Sequence, residues 1–393
     1  LGAWLKSNFS DFRSDLFAAF LVRCSDLGLP QGMLGLMTPF VWMFLRTYEK
    51  LREKAFTNQS ITSLVKPEYH SFFESAYVPI CAFCIQKGIS NRYGTYIDLE
   101  EFYGANVQPI KLREAIQGDV EYKFRASWNE FEKVPGRVIA FNFPKKLLEA
   151  FDKMPQLSDI ADPRQGLATT DNNRFLRQWY ELSFISIGLG ITDRTTASNS
   201  GYRWFPYNKG GSFRKWYGNI DYCVNWEFDG REIKENIVAK YPYLNGNPGF
   251  VAKNQDFYFR DGITWSALTV SKISMRSNGP GFIFDTKGQC LFADSEDDNL
   301  YLMAFSNSVV SDICLQALAP TLDYNSGTIA KLPVLTDRNV ETATVTNTIR
   351  LKEISALDWD AYEISWDFVY SPLLSSGEHP YKLTSSYEQL RTN

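Results

Sequence analysis

The first ninety residues switch between two hydrophobic periods. Over Asp11 to Leu27 the apolar positions Phe12, Leu16, Ala19, Phe20 and Val22 recur at three- and four-residue steps, which predicts an amphipathic helix. Gly28 to Gly32 supplies a turn. Met33-Leu34-Gly35-Leu36-Met37 is then a short continuous apolar run, which predicts a strand buried on both faces of a parallel sheet and ended by Pro39. A second helix is predicted over Phe44 to Phe56, with Arg46, Glu49, Lys50, Arg52 and Glu53 turned outward. Ile61 to Val65 and Val78 to Ile85 read as two more strands joined by a loop rather than a helix, so they are expected to run antiparallel at the sheet edge. Strand and helix alternation of this kind predicts an α/β layer.

From about Gly94 the pattern changes to short aromatic strands and Gly- or Asn-rich turns, with no long helix expected before Asn299 to Leu318. A domain boundary is therefore expected between residues 105 and 160, and Ala161-Asp162-Pro163-Arg164-Gln165-Gly166 reads as a linker or entry loop. The expected organisation is an α/β part over 1–105, a connecting segment over 106–165, an α+β domain over 166–335, and a C-terminal extension over 336–393. No internal repeat or low-complexity tract is present.

At 393 residues the chain is long enough for two full cores. Hydrophobic residues at 44% and charged residues at 22% are ordinary for a globular protein, and no run approaches eighteen apolar residues, which argues against disorder and against a membrane span. Six cysteines, unevenly spaced, do not form a disulfide framework, so a reducing cytoplasm is the expected setting. The start, Leu-Gly-Ala-Trp-Leu, without an initiator Met or a leader, reads as the interior of a longer polypeptide.

The net charge of -4 argues mildly against a wholesale nucleic-acid binder, but its distribution is uneven. Between Asp171 and Trp216 stand Arg174, Arg177, Arg194, Arg203, Lys209, Arg214 and Lys215 against Asp171, Glu181 and Asp193. Arg and Lys neutralise phosphates, Arg reads guanine bidentately and Asn reads adenine in the major groove. Thr170, Asn172, Asn173, Arg174, Lys209, Ser212, Arg214 and Lys215 are the DNA-contact candidates; the alternative is a solvated loop whose arginines cover aromatic faces. Gly210-Gly211-Ser212 offers a close backbone approach to a phosphate without the spacing of a P-loop. Thr264-Trp265-Ser266 with Lys272, Ser274 and Arg276 is a second polar and aromatic cluster, which lines the same groove or forms a surface hairpin; Trp265, Lys272 and Arg276 join the candidates. Cys81 and Cys84 have the spacing of a metal or redox pair, but they sit in an apolar strand and only His70 and His379 are available as histidines, so buried thiols and no metal are expected. The run Asp294, Glu296, Asp297, Asp298 lacks the oxygen spacing of a calcium loop and reads as a solvated turn.

Three stretches of the first ninety residues resemble the second half of class-I methyltransferase domains of adenine-modifying enzymes: Ser14 to Phe20, Gly32 to Pro39, and Val78 to Phe83. Further stretches resemble one subfamily, the BREX phage-exclusion adenine-specific DNA methyltransferases (the PglX family): Thr170 to Tyr180, Lys209 to Asn219, Val224 to Glu227, Gly262 to Ser266 and Asp358 to Asp360. The resemblance implies the C-terminal half of an S-adenosylmethionine-dependent methyltransferase sheet followed by a target-recognition domain. It implies methyl transfer from S-adenosylmethionine to the exocyclic amine of a flipped adenine; near that target-base pocket, at the strand end, Phe40 or Trp42 is the candidate to touch the flipped base, the alternative being an ordinary core aromatic. Its implied partners are double-stranded DNA, other BREX defence proteins and phage-encoded inhibitors, with no membrane. Neither a Gly-rich methyl-donor loop nor an Asn-Pro-Pro-Tyr sequence occurs here, so the S-adenosylmethionine site and the catalytic motif are expected upstream of Leu1. A fused restriction-modification enzyme and a non-catalytic DNA-binding module are the competing readings.

Overall fold

The computed structural model describes residues 1–68, 79–269, 272–319, 323–375, 384 and 387. Val78, at the start of a predicted strand, and both histidines lie outside these described residues. The chain divides into two compact units, residues 1–154 with 317–320, and residues 155–316 with 321–393.

The first unit is built on a five-stranded sheet of β1 (Met33–Pro39), β2 (Gln59–Lys66), β3 (Ile80–Lys87), β4 (Gly94–Asp98) and β5 (Lys123–Ala126), in the order β1-β3-β2-β4-β5. The predicted helices appear as Leu16–Leu27 and Glu49–Phe56, each preceded by 3-10 turns. β2 and β3 pair antiparallel as expected, but not at the edge, because β4 adds to β2 in parallel and β1 pairs antiparallel with β3. β1 is itself the edge strand. It alternates exposed and partly buried positions, with Met33 and Met37 exposed, rather than being buried on both faces.

Trp42 is the centre of this unit's aromatic core, with ring centroids 5.4 Å from Phe56 and 5.0 Å from Phe83. Arg52, expected on the outer face of its helix, is fully buried beside it. A buried guanidinium is costly unless its donors are satisfied, and here they are: Nη1 donates to the carbonyls of Trp42 (2.7 Å) and Leu45 (2.9 Å), while Nε and Nη2 donate to that of Gly136. Burial lowers its pKa to about 10, which leaves it charged at neutral pH.

The second unit holds two four-stranded sheets. One has the order β11-β10-β13-β6, from β6 (Asp162–Arg164), β10 (Gly262–Ser266), β11 (Met275–Asn278) and β13 (Gly288–Phe292). The other has the order β12-β8-β9-β7, from β7 (Leu176–Gln178), β8 (Trp204–Asn208), β9 (Tyr222–Asn225) and β12 (Ile283–Phe284). Phe175, Phe205, Tyr207, Trp226, Tyr258, Phe284 and Phe292 belong to one buried cluster. The sheets approach closely at Gly288: a Cβ there would lie 2.4 Å from the carbonyl oxygen of Asn208 and 2.5 Å from the nitrogen of Gly210, so no larger residue fits without displacing β8.

Helices are more numerous than periodicity predicted. Gln108–Gln117 and Lys145–Lys153 in the first unit, and Glu227–Lys240 and Arg338–Asp360 in the second, were not expected, and the expected helix over 299–318 is two, Glu296–Ser306 and Val309–Leu318. The acidic run is no free turn either. Ser295 caps the helix that follows, accepting from the Asp298 amide at 3.1 Å, and Glu296, Asp297 and Asp298 occupy the first turn, where negative charge complements the helix dipole.

Candidate nucleic-acid interface

The short strand β7 emerges from a helical turn, Asn172–Phe175, capped by Asp171, whose carboxylate accepts from the Arg174 amide at 3.1 Å. Phe175 and Leu176 point into the core, so the polar residues that flank them are forced to the surface. Antiparallel pairing then sets Gln178 opposite Tyr222 of β9, and β8 delivers Lys209 just beyond its own end. The result is a polar hollow of about 410 Å³ lined by Asn172, Asn173, Leu176, Arg177, Gln178, Glu181, Lys209 and Tyr222.

Its floor is held by ionic and hydrogen-bonded contacts. Lys209 Nζ lies 3.0 Å from Oδ2 of Asp285, which is nearly inaccessible, and 3.4 Å from Oδ1 of Asn172. Asp285 also accepts from the Tyr207 hydroxyl (2.7 Å), the Thr286 hydroxyl (3.0 Å) and the Lys287 amide (2.6 Å). Asn172 Oδ1 accepts from Thr169 Oγ1 at 2.5 Å, and Arg177 Nη1 donates to the carbonyls of Asn173 (2.7 Å) and Leu176 (2.6 Å). Thr170 stands at φ +64°, strained for a β-branched residue, and is clamped by Asn236 on its hydroxyl and Lys240 on its carbonyl, both at 2.8 Å.

The structure thus gathers Asn172, Asn173 and Lys209 around one hollow, with Thr170 and Arg174 adjoining in sequence. Arg177, Gln178 and Tyr222 line the same hollow without having been singled out. Arg177 was visible in the basic stretch; the other two are set there by a strand register between distant segments, which carries no local signal.

The remaining candidates lie elsewhere. Arg214 pairs with Asp358 and stacks 5.0 Å from the Trp359 ring, and Lys215 donates to the carbonyl of Asn307 at 2.8 Å. Ser212 is exposed, and its carbonyl accepts from Asn219 at 2.8 Å. The adjoining Gly211 amide donates to Ser266 Oγ at 2.9 Å rather than facing solvent. Lys272 is exposed and lies 3.2 Å from Asp312. Trp265 and Arg276 are fully buried in a β10–β11 hairpin that is interior rather than superficial. The Trp265 indole donates to the Tyr324 carbonyl at 2.6 Å, so neither side chain faces a duplex in this conformation. Phe40 is buried at the end of β1, with Phe44 5.6 Å away and Lys66 Nζ 5.4 Å from its ring.

Magnitudes sort the cations. Arg174 and Arg203 each stand 3.5 Å from Glu232 with about half their side chains exposed, so those pairs hold little and exchange readily for a phosphate. Lys272 is itself exposed, but its partner Asp312 is buried, so that pair does not exchange as freely. Lys209 is different: withdrawing it from Asp285 would strand a buried carboxylate.

Among the described residues no three His, Cys, Asp or Glu side chains group to hold a metal ion, and no helix is long and apolar enough to cross a membrane. Cys81 is buried on β3 while Cys84, three residues on, faces the other side, so the two thiols do not converge; burial pushes that of Cys81 up to about 12.

Residues 3–73 match the family model of Eco57I restriction-modification methylases. Over 373 residues, 93% of this chain, the sequence is 34% identical to the adenine-specific methyltransferase PglX of Lacticaseibacillus casei (strain Zhang). Over 397 residues, 98% of this chain, it is 30% identical to the adenine-specific methyltransferase BrxX of Escherichia coli O9:H4 (strain HS). The chain is a homologue of the PglX and BrxX methyltransferases. It spans about 30% of the length of each. Among solved structures, the type IIL restriction-modification enzyme MmeI, determined in complex with DNA, shares the fold at a TM-score of 0.55 and 13% identity, over 100% of this chain and 51% of that one. Of the stretches that carried the resemblance to this family, Thr170 to Tyr180 supplies five of the eight residues that line the hollow and Lys209 to Asn219 supplies Lys209.

Proposed function

We propose that this chain is the target-reading part of a DNA adenine methyltransferase in a BREX-type defence system, one that marks host DNA so that it is told apart from phage DNA. The observation that carries the reading is the hollow itself: two carboxamides, Asn172 and Asn173, a third from Gln178, and the Arg177 guanidinium line one surface. Carboxamides and guanidinium groups are the side chains that distinguish bases by paired hydrogen bonds. Arg174 and Arg203 would supply phosphate contacts, and Lys209 would hold the floor.

In this reading the whole enzyme transfers a methyl group from S-adenosylmethionine to the exocyclic amine of an adenine flipped out of the duplex. Among the described residues none is assigned to that cofactor. At the end of β1, an edge strand that pairs only antiparallel, the Trp42 indole donates to the Thr38 hydroxyl at 3.0 Å and that hydroxyl donates to the Pro39 carbonyl at 3.2 Å. No step is therefore assigned to S-adenosylmethionine here. Double-stranded DNA is the partner this surface suits; other BREX proteins and phage-encoded inhibitors are further partners under the same reading.

The test is a salt titration of duplex binding by the whole polypeptide. Affinity should fall steeply as salt rises, because phosphate contacts release counterions. Absence of duplex binding, or binding indifferent to salt, would refute the proposal.

A further inference from the structure

Just past the hollow the chain makes a rigid loop with an apolar tip. Gln178 and Glu181 close its near end in a capping box, the Gln178 amide donating to the Glu181 carboxylate at 2.7 Å. Trp179 is fixed twice, by its amide to the Asp221 carbonyl (3.0 Å) and by its indole to the Ile364 carbonyl (2.8 Å). At the far end Ile187 is buried and the Gly188 amide donates to the Trp204 carbonyl at 2.8 Å. Between these anchors a single 3-10 turn, Phe184–Ser186, lifts Phe184 (52% exposed) and Ile185 (86% exposed) into solvent.

Two adjacent apolar side chains held out on a pinned loop are costly to hydrate, which points to an occupant. The surroundings say which. Glu181, three residues before Phe184, lines the polar hollow. Trp204, which anchors the far end, carries two guanidinium groups, Arg177 at 5.6 Å and Arg203 at 5.8 Å from its ring. An apolar point next to a hollow of base-reading groups, one of which, Arg177, shares with Arg203 the ring of the residue that anchors the loop, matches a duplex, whose phosphates flank an apolar stack of bases. Ile is stiff at χ1, which suits a part that must push without folding away.

We propose that Phe184 and Ile185 form a wedge that enters the base stack of the bound duplex and opens it next to the site read by the hollow. This rests on the proposed function above and adds to it the element that loosens the stack. Inserted apolar side chains unstack a step at a cost of a few kcal/mol, which is smaller where a mismatch has already loosened the stack.

The experiment uses the whole polypeptide and a duplex bearing the adenine methylation site mapped by sequencing host DNA, with the fluorescent adenine analogue 2-aminopurine at the target. Wild type should raise the fluorescence on binding. The Phe184→Ser, Ile185→Ser double variant, whose fold is checked by a thermal melt alongside the Ile185→Ser single variant at the more exposed position, should lose that rise. Its affinity should fall about tenfold on the paired duplex and little on one mismatched at the target, with the salt dependence unchanged because no charge is altered. Full fluorescence and wild-type affinity in the variant would overturn the wedge, as would an equal loss on paired and mismatched duplexes. If wild type binds no duplex, the proposed function fails instead; if Arg177→Ala weakens binding and the double variant does not, the wedge alone fails.

Discussion

Lys209 Nζ lies 3.0 Å from a carboxylate oxygen of Asp285, and that carboxylate is almost wholly removed from solvent. The lysine at the floor of the hollow is therefore a structural cation. Lys209→Ala should destabilise the second unit by about 3 kcal/mol, the usual consequence of leaving one member of a buried pair alone. The double variant Lys209→Ala, Asp285→Asn should recover most of that loss. Urea denaturation of the three proteins measures it; equal midpoints for wild type and Lys209→Ala would show that the pair contributes nothing.

Arg194 grips Asp229 with two hydrogen bonds of 2.6 Å, Nε to one carboxylate oxygen and Nη2 to the other, and Lys234 adds a third of 2.6 Å. Burial on its own would raise the Asp229 pKa, but these bonds outweigh it and hold the group below its ordinary 3.8. A carboxylate with a depressed pKa contributes stability that is complete above its unfolded value and lost as pH falls through the folded one. Asp229→Asn keeps a residue that tolerates the left-handed backbone at this position, φ +59°, and removes the charge. It should be about 1 kcal/mol less stable than wild type at neutral pH. The two denaturation midpoints should converge below pH 3.8. A difference that persists unchanged at low pH would contradict the assignment.

The elements that sequence pattern made legible are those whose environment is set locally. β3 opens on a continuous apolar run and β2 carries β-branched and apolar residues over Ile61 to Val65, and the antiparallel pairing expected from a loop connection is the one observed. Arg52 was misplaced because its acceptors include a carbonyl far along the chain at Gly136, and nothing near it in sequence announces them. The helix Glu227–Lys240 escaped notice for a different reason: Phe228, Asp229 and Gly230 take left-handed backbone angles inside it, so its apolar positions keep no single helical phase. In the candidate site, residue type identified Asn172, Asn173 and Lys209, but only the fold separates them from Trp265 and Arg276, which have the same chemistry and no access to solvent.

Trp265 and Arg276 should accordingly act on stability rather than on DNA. Trp265→Ala should cost about 3 to 5 kcal/mol as a large buried side chain is lost. Arg276 is fully buried, and its three guanidinium nitrogens have no hydrogen-bond partner among the described residues. Arg276→Met should leave stability unchanged or higher, because an apolar side chain of similar length has no buried charge to accommodate. Thermal melts measure both, and a duplex-affinity loss in either variant at a temperature where it is fully folded would place the residue in the interface.

Phosphate partners and base readers should fail differently. Arg174→Ala should weaken binding to every duplex and flatten the salt dependence, since only a surface pair with Glu232 is given up. Asn173→Ala should cost about 1 to 3 kcal/mol on the methylated site and nothing on scrambled sequence. Binding of each variant to specific and scrambled duplexes across a salt series separates the two patterns, and identical behaviour of both variants on both duplexes would mean that the residues share one role.

The most direct test of the account is to read the methylation pattern itself. Host DNA from cells expressing the whole protein, wild type or with Asn172, Asn173 or Gln178 changed to Ala, is sequenced for methylated adenine. The account predicts that wild type methylates one defined sequence and that the variants lose methylation or relax the sequence at a single position, because each removes one paired contact to a base edge. Methylation of the same sequence to the same extent in all three variants would contradict it and remove the hollow as the site of recognition.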